Sequence, residues 1–492
     1  MKKSSAISAG HEATMNMAKE ILKMGGNAFD AAVSAHLTMY ISEPCMASAG
    51  AGGFALCYTP QRGVQMLDFF AQTPSQKNLD RDIDFYPIEV NFGNETEEFH
   101  VGSASMAVPG SLAGLFEMHD KLGSLPMDVL IDPVIDLAKN GVPVDKFQAI
   151  DMGLLKPILY NDESVRDIFF QEGKLKAEGE VIYMPNFIDF LDFIKVENHY
   201  GFYKGEIGQK IGDYAQDHGG FLTRQDFENY QAIWKKPLST KVRGFDLYVP
   251  NASSIGGAIM MILRKEQLLN NNNDLKSIEN TLAACKNLKN IDSVIKKYYP
   301  NTNFKRSSFT NSTKGTSHFN ILDKWGNAVA LTCSLGEGAG YFIPGTDMQM
   351  NNMLGESFLL PDGFHSWQPN VRLNSMMTPT MAIDSDRRPR FIGGSGGAGR
   401  IPYMISQVLD RYFNEGLYLE EAIYAPRLYV HNDTVHFESG YEIDKKNLAH
   451  REFKEWTGDS LFFGGVHAIA VDERGGVEAI GDQRRFGSAI IV

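Results

Sequence analysis

The sequence predicts an α+β fold. Three observations carry this: apolar residues at helical spacing near the start, strand-like runs that pair as hairpins, and no regular alternation of strand with helix. In "ATMNMAKEILKMGGN", Met15, Ala18, Ile21 and Leu22 share one helical face, and Gly25-Gly26 is a C-cap signal. "AFDAAVSAHLTMYI" is apolar nearly all round and predicts a second, buried helix. "GGFALCYT" and "VQMLDFF" read as strands joined by "PQRG", and "DPVIDLAKNG" as a short helix ending on glycine. From Met152 to about Thr240 the chain is more charged and reads as mostly helical. The stretch Asn270–Gly315, with four consecutive asparagines, reads as a poorly packed linker holding one helix around Ile278–Lys289. Strand signals resume at Thr316 in "GTSHFNILDKWGNAVALTCS". No internal repeat is visible.

Bulk properties narrow the function. The 492 residues are 43% hydrophobic and 22% charged, as in an ordinary soluble globular protein. A net charge of −13 argues against nucleic acid and anionic membrane partners, which require basic patches. The opening "MKKSSAISAGHEATMNMAKE" lacks the apolar core of a signal peptide, and no run is long enough to span a membrane, so a cytoplasmic location is expected. Cys45, Cys57, Cys285 and Cys333 lack CxxC spacing and read as reduced, buried thiols. No HExxH, EF-hand or Walker A pattern occurs, and neither a metal nor an organic cofactor is expected.

Two stretches carry catalytic signals. In "RFIGGSGGAGRIPYMISQVLDRYF", Gly393–Gly397 matches G-x-S-x-G between a strand and a helix, with Asp433 and His467 following in triad order. That admits a serine α/β-hydrolase using Ser395, although the hairpins upstream are not the βα units such a fold needs. The same run contains G-x-G-x-x-G, without a βαβ unit around it. Common to both is a glycine-rich turn before a helix, whose N–H groups suit an anion or oxyanion.

The second stretch begins at Gly315-Thr316. A three-residue turn at Lys324-Trp325-Gly326 sets Asp323 opposite Asn327, and hence Ser334 opposite Thr316. A threonine hydroxyl is a weak nucleophile without a base. If the preceding peptide bond is cut, the threonine's own α-amine, with an ordinary pKa of about 7.7–8.0, becomes that base. Gly315 suits such a cut, because without a Cβ it lets the Thr316 oxygen approach its carbonyl.

Stretches along nearly the whole chain resemble the gamma-glutamyltransferase family of N-terminal-nucleophile hydrolases. They include "GGNAFDAAVSAHLTMYISEPCMASAGAGGFALCY", "VGSASMAVPGSLAGLFEMHDKLG", "PNASSIGG", "KGTSHFNILDKWGNAVALTCSL", "LNSMMTPTM", "GSGGAGRI" and "GGVHAIAVDERGGVEAIGDQRRFG", in the family's order. The resemblance implies a four-layer αββα sandwich and a precursor that cuts itself between Gly315 and Thr316. It implies a large-subunit region 1–315 and a small-subunit region 316–492, interlocked in one domain and remaining associated after cleavage. The expected chemistry is cleavage of a γ-glutamyl or other acyl amide, with transfer to water or an amine. Thr316 corresponds to the nucleophile, Ser334 to its supporting hydroxyl, and Gly397 and Ala398 to the oxyanion-hole pair. Ser375 corresponds to the first of two substrate-side serines, with Met376 at the second.

Other positions depart from the pattern. Phe70 stands where the family's arginine grips the substrate α-carboxylate, Gly336 replaces an asparagine, and only Glu356 remains of an acidic pair. The segment before Thr316 is shorter than usual. Weakened γ-glutamyl recognition is therefore expected, with an acyl group bearing an aromatic or apolar part as substrate. A non-processed, non-catalytic homologue that binds a small molecule is a further alternative.

Overall fold

Two antiparallel sheets lie face to face, with helices packed on the outer side of each. The computed structural model describes residues 4–91, 96–160, 162–251, 253–265, 315–360, 362–431, 434–441, 452–458 and 460–492. The predicted linker helix, and Asp433, lie outside the described residues.

The first sheet has seven strands. Their order is Ile233–Lys235, Gly63–Phe69, Gly52–Thr59, Ala328–Gly336, Gly315–Leu322, Ala6–Ala9 and Ser488–Ile491. The second has six: Leu238–Val242, Phe245–Val249, Thr380–Ile383, Pro389–Gly396, Gly465–Val471 and Val477–Ile480. Helices Glu12–Met24, Ala28–Ser42 and Ser111–Leu122 cover the first sheet; Ile255–Lys265, Ile401–Asp410 and Leu419–Tyr424 cover the second. The result is the four-layer αββα sandwich. Strands from before and after Gly315 alternate within the first sheet and adjoin in the second, so neither part has a sheet of its own.

Local chemistry explains the first layer. The His11 ring accepts the Ala13 N–H at one end of the first helix, and Gly25, at φ +99°, closes the other by donating to Ile21 and Leu22 carbonyls. Asn27 and Asp30 form a reciprocal capping box for the next helix, all of whose 15 residues are buried. The "GGFALCYT"/"VQMLDFF" hairpin forms with Phe54 opposite Asp68, which leaves Phe70 just past its end. The region from Met152 to Asn229 is mostly helical, with short strands at Phe170–Gln171, Lys174–Leu175 and Val181–Ile182; the chain returns to the main sheet at Ile233, where Trp234 and Lys235 complete the edge beside Met66 and Leu67.

The pleat decides which residues face the gap between the sheets. Phe319, Ile321, Val329, Leu331 and Cys333 point into the outer helical core. Leu322, Ala328 and Ala330 point between the sheets. Thr316, His318 and Asn320 share that inter-sheet face by period-two alternation. There the His318 ring contacts Thr332 Oγ1 and Asn320 Oδ1, both at 2.8 Å, and Asn320 donates to the His467 carbonyl at 2.9 Å. Burial pushes the His318 pKa down to about 3, so its ring is a neutral strut.

Candidate active site

Thr316 stands at the start of its strand, opposite Ser334, as the hairpin register predicts. The Asp323 N–H donates to the Asn327 carbonyl at 3.0 Å, and Gly326 takes φ +89°. The register breaks between Gly315 and Thr316, where Gly315 pairs with Gly336. A Cβ at Gly315 would lie 2.3 Å from the Gly336 carbonyl oxygen and 2.7 Å from that of Cys45. Only glycine fits there.

Three hydrogen bonds converge on Ser334. Thr316 Oγ1 donates to Ser334 Oγ at 3.2 Å, the Gly336 N–H donates to it at 3.2 Å, and Ser334 in turn donates to the Gly315 carbonyl at 2.9 Å. The serine thus accepts from the hydroxyl of Thr316 while polarising the carbonyl of the bond before it.

A small cavity opens beside the pair. Phe70, Thr316, Ser334, Gly336, Glu356, Ser375, Met376 and Ala398 line it, together with Met353, Phe358, Met377 and Ile401. The structure so gathers residues from five separated stretches that the sequence singled out. Gly397 adjoins Ala398 at φ +115°, and Ala398 opens a short 3₁₀ turn before the Ile401–Asp410 helix. N–H groups at a helix start have no partner within the helix, so this corner suits an oxyanion. The free space is only about 20 Å³, enough for about one water molecule. Three methionines and two phenylalanines are among its twelve lining residues, and methionine side chains repack readily around a ligand.

Among the described lining residues none is cationic. Phe70 is 1% exposed and its ring packs 5.6 Å from that of Phe54. Arg372 lies close by but is spent on the polypeptide: it donates to the Phe70 carbonyl at 2.6 Å, the Gln231 carbonyl at 2.6 Å and the Tyr230 hydroxyl.

Two site neighbours had no sequence signal of their own. Ser317 donates to the Glu43 carboxylate, which also accepts from Thr14 Oγ1 at 3.2 Å; burial pushes the Glu43 pKa up to about 7, against those hydrogen bonds. Arg485 donates to the Thr316 carbonyl at 3.1 Å.

The serine-hydrolase alternative fails on geometry. Ser395 is inside the Pro389–Gly396 strand rather than on a turn after it, fully buried, donating to the Gly396 carbonyl at 2.6 Å and accepting from the Gly465 N–H at 3.2 Å. It pairs with Val466, while His467 pairs with Gly394, so the alternating pleat sends the His467 side chain to the opposite face. The dinucleotide match fails with it, since its first two glycines belong to an antiparallel strand.

A buried hydroxyl at a strand start, between two stacked sheets sheathed in helices, is the arrangement of an N-terminal-nucleophile amidohydrolase. The family model for gamma-glutamyltranspeptidase matches residues 14–286 and 271–492. The glutathione hydrolase proenzyme of Bacillus subtilis (strain 168) is 26% identical over 542 residues, covering 99% of this chain and 91% of the relative. The capsule biosynthesis protein CapD proenzyme of Bacillus anthracis is 26% identical over 513 residues, covering 98% and 90%. Among solved structures, the cephalosporin acylase from Bacillus halodurans superposes with a TM-score of 0.82 at 22% identity, covering 99% of this chain and 96% of that one. The chain belongs to the gamma-glutamyltranspeptidase family, whose members are self-processing amide hydrolases and acyltransferases. No described helix is long and apolar enough to cross a membrane.

Proposed function

We propose that this protein cuts itself between Gly315 and Thr316 and then uses Thr316 to cleave an amide whose acyl group is largely apolar. The observation that carries the reading is the Thr316–Ser334–Gly315 hydrogen-bond chain opening on a cavity walled by Phe70, Met353, Phe358, Met376, Met377 and Ile401.

In maturation, Thr316 Oγ1 attacks the Gly315 carbonyl while Ser334 holds that oxygen. The Gly315–Thr316 C–N bond breaks as the nitrogen gains the hydroxyl proton, leaving an ester on Oγ1 and a free α-amine; water then hydrolyses the ester to the Gly315 carboxylate and restores the Thr316 hydroxyl. In turnover, Oγ1 attacks the substrate carbonyl and its proton passes to the α-amine. The Gly397 and Ala398 N–H groups receive the oxyanion, and the amine of the leaving group departs with the transferred proton. Water or an acceptor amine then takes the acyl group from Thr316. The interleaved strands keep the two fragments together.

Phe70 and the spent Arg372 support the substrate class. A family substrate's α-carboxylate would meet apolar surface where a bidentate arginine is expected, losing charge-assisted hydrogen bonds of about 1.5–3 kcal/mol each. Glu356 is the acidic group in the lining and suits a substrate N–H or ammonium; Ser375 Oγ, which accepts the Met377 N–H at 3.1 Å, can still donate. The test compares kcat/KM for γ-glutamyl p-nitroanilide with that for an arylacetyl p-nitroanilide lacking the α-carboxylate. The second is expected to exceed the first by at least about 10-fold, the equivalent of one such hydrogen bond. Equal or better turnover of the γ-glutamyl compound overturns the apolar assignment. Separately, Ser334→Ala is expected to slow self-cleavage by about 100- to 1,000-fold, the range for one lost oxyanion donor, as followed by the appearance of two fragments in intact mass spectra.

A further inference from the structure

Arg485 occupies a place that the fold has been cut away to admit. The Ala6–Ala9 strand pairs with Phe319–Leu322 and stops there, so Thr316–His318 have a strand neighbour on one side only. On the open side the Arg485 guanidinium donates to the Thr316 carbonyl at 3.1 Å. Its route passes two glycines that face each other across neighbouring strands, Gly396 and Gly465. A Cβ on Gly396 would lie 2.4 Å from the Thr316 carbonyl oxygen and 2.7 Å from Arg485 Nη1, so that glycine admits both partners of the bond; one on Gly465 would lie 2.8 Å from Arg485 Cδ. Any larger residue at either position would collide with the arginine. The side chain is 6% exposed, with its guanidinium 5.5 Å from the Phe147 ring centre and Nη1 4.0 Å from the Met46 sulfur. Among the described residues no carboxylate lies within 4 Å of it. A buried cation aimed at one backbone carbonyl, through a passage kept open by paired glycines, is more than a packing residue needs.

We propose that Arg485 is a positioning residue that fixes the Thr316 end of its strand and, after cleavage, keeps the new α-amine uncharged so that it can act as the base. This rests on Thr316 being the nucleophile. A new chain terminus with one strand neighbour frays, and the Arg485 bond to its carbonyl opposes that. The guanidinium bonded to the Thr316 carbonyl is within about 6 Å of the same residue's nitrogen, and a like charge at that range disfavours the ammonium form. Opposing charges face the same end: Glu43 beneath Ser317, Glu356 in the cavity wall, and Asp151, Asp145, Glu337 and Asp482 farther off; Arg400 adds to the cationic side, and the burial of Thr316 also disfavours an ammonium. The net effect expected is a lowering of the amine pKa by about one unit from its ordinary value of about 7.7–8.0.

The wild-type protein tests this without a variant. Cyanate carbamylates neutral amines only, so the pH dependence of Thr316 carbamylation, read as the mass of the small fragment, titrates the amine directly. A midpoint near pH 7 supports the proposal; one at or above pH 8 overturns it. As a second arm, Arg485→Gln is expected to move the acid limb of kcat/KM up by about one pH unit, with Arg485→Lys restoring it. A limb that stays in place while kcat/KM falls equally at every pH assigns Arg485 to packing alone, and so overturns the proposal. If no fragment beginning at Thr316 is found, the nucleophile assignment itself fails, an outcome distinct from an unshifted amine.

Discussion

Thr316→Ala is expected to leave one uncut chain of 492 residues and to lower amide turnover by at least about 10⁴-fold. One substitution removes two functions. Before the cut there is no hydroxyl to attack the Gly315 carbonyl, and without the cut there is no α-amine to serve as base. Ser334 cannot substitute, because its own proton is directed at the Gly315 oxygen and, in the uncut chain, no α-amine exists to act as a base for it. Thr316→Ser keeps the hydroxyl and should still cut, giving fragments 1–315 and 316–492. Intact mass and a continuous anilide assay read both outcomes. Ser395→Ala is the control, expected to cut and to remain active, since among the described residues the Ser395 hydroxyl bonds only to the Gly396 carbonyl and the Gly465 N–H. An active, processed Thr316→Ala protein would refute the proposed mechanism.

What the sequence makes legible here follows the range of the interaction. The hairpin from Gly315 to Gly336 is local: the turn glycine, the Asp323–Asn327 closure and period-two alternation together place Ser334 beside Thr316. The helix end at Gly25 is local too. The glycines from Gly393 to Gly399 are legible only as a composition, which is why they match two motifs at once. Their reason lies between the sheets: a Cβ at Gly394 would sit 2.3 Å from the His318 ring, and one at Gly396 would strike Arg485. Glu43 and Arg485 reach the nucleophile strand from 274 and 169 residues away, and no spacing rule links an acid after a helix or an arginine near the C-terminus to one threonine. The cavity wall was legible at Phe70, Glu356 and Ser375 because their motifs resemble a family. Met353 and Phe358 flank Glu356, and Ile401 ends the "GSGGAGRI" stretch and begins a helix, but nothing in the sequence marks their side chains as turned to the cavity.

The same reach from the C-terminal segment sets the largest stability effect. Asp482 is fully buried between two arginines: its carboxylate accepts from Arg427 at 2.5 Å, from Arg484 at 3.3 Å and from the Val466 N–H at 2.8 Å. Arg484 turns its other edge to Glu438, at 2.6 and 2.7 Å. Arg427 is fully buried, and burial pushes its guanidinium down to about 10. This cluster holds the turn that carries Arg485 against the end of the Gly465–Val471 strand. Asp482→Ala leaves Arg427 buried without its anion and takes one of two carboxylate partners from Arg484. A loss of about 3–5 kcal/mol is expected, as for other buried pairs broken from one side. The pH dependence has a definite sign. Burial pushes the Asp482 pKa up, but Arg427, Arg484 and two backbone N–H groups outweigh it, and the carboxyl ends below its ordinary value. A depressed folded-state pKa stabilises at every pH above the unfolded value of about 3.9, and that contribution fades as the pH falls below it. Urea unfolding of Asp482→Ala in the uncut Thr316→Ala background, where fragment association does not enter, should therefore show a constant deficit from pH 8 to about pH 5. The deficit should narrow only below about pH 4. A deficit under about 1 kcal/mol at pH 7, the size of a surface ion pair, would mean that the two arginines find water or another anion when Asp482 is gone.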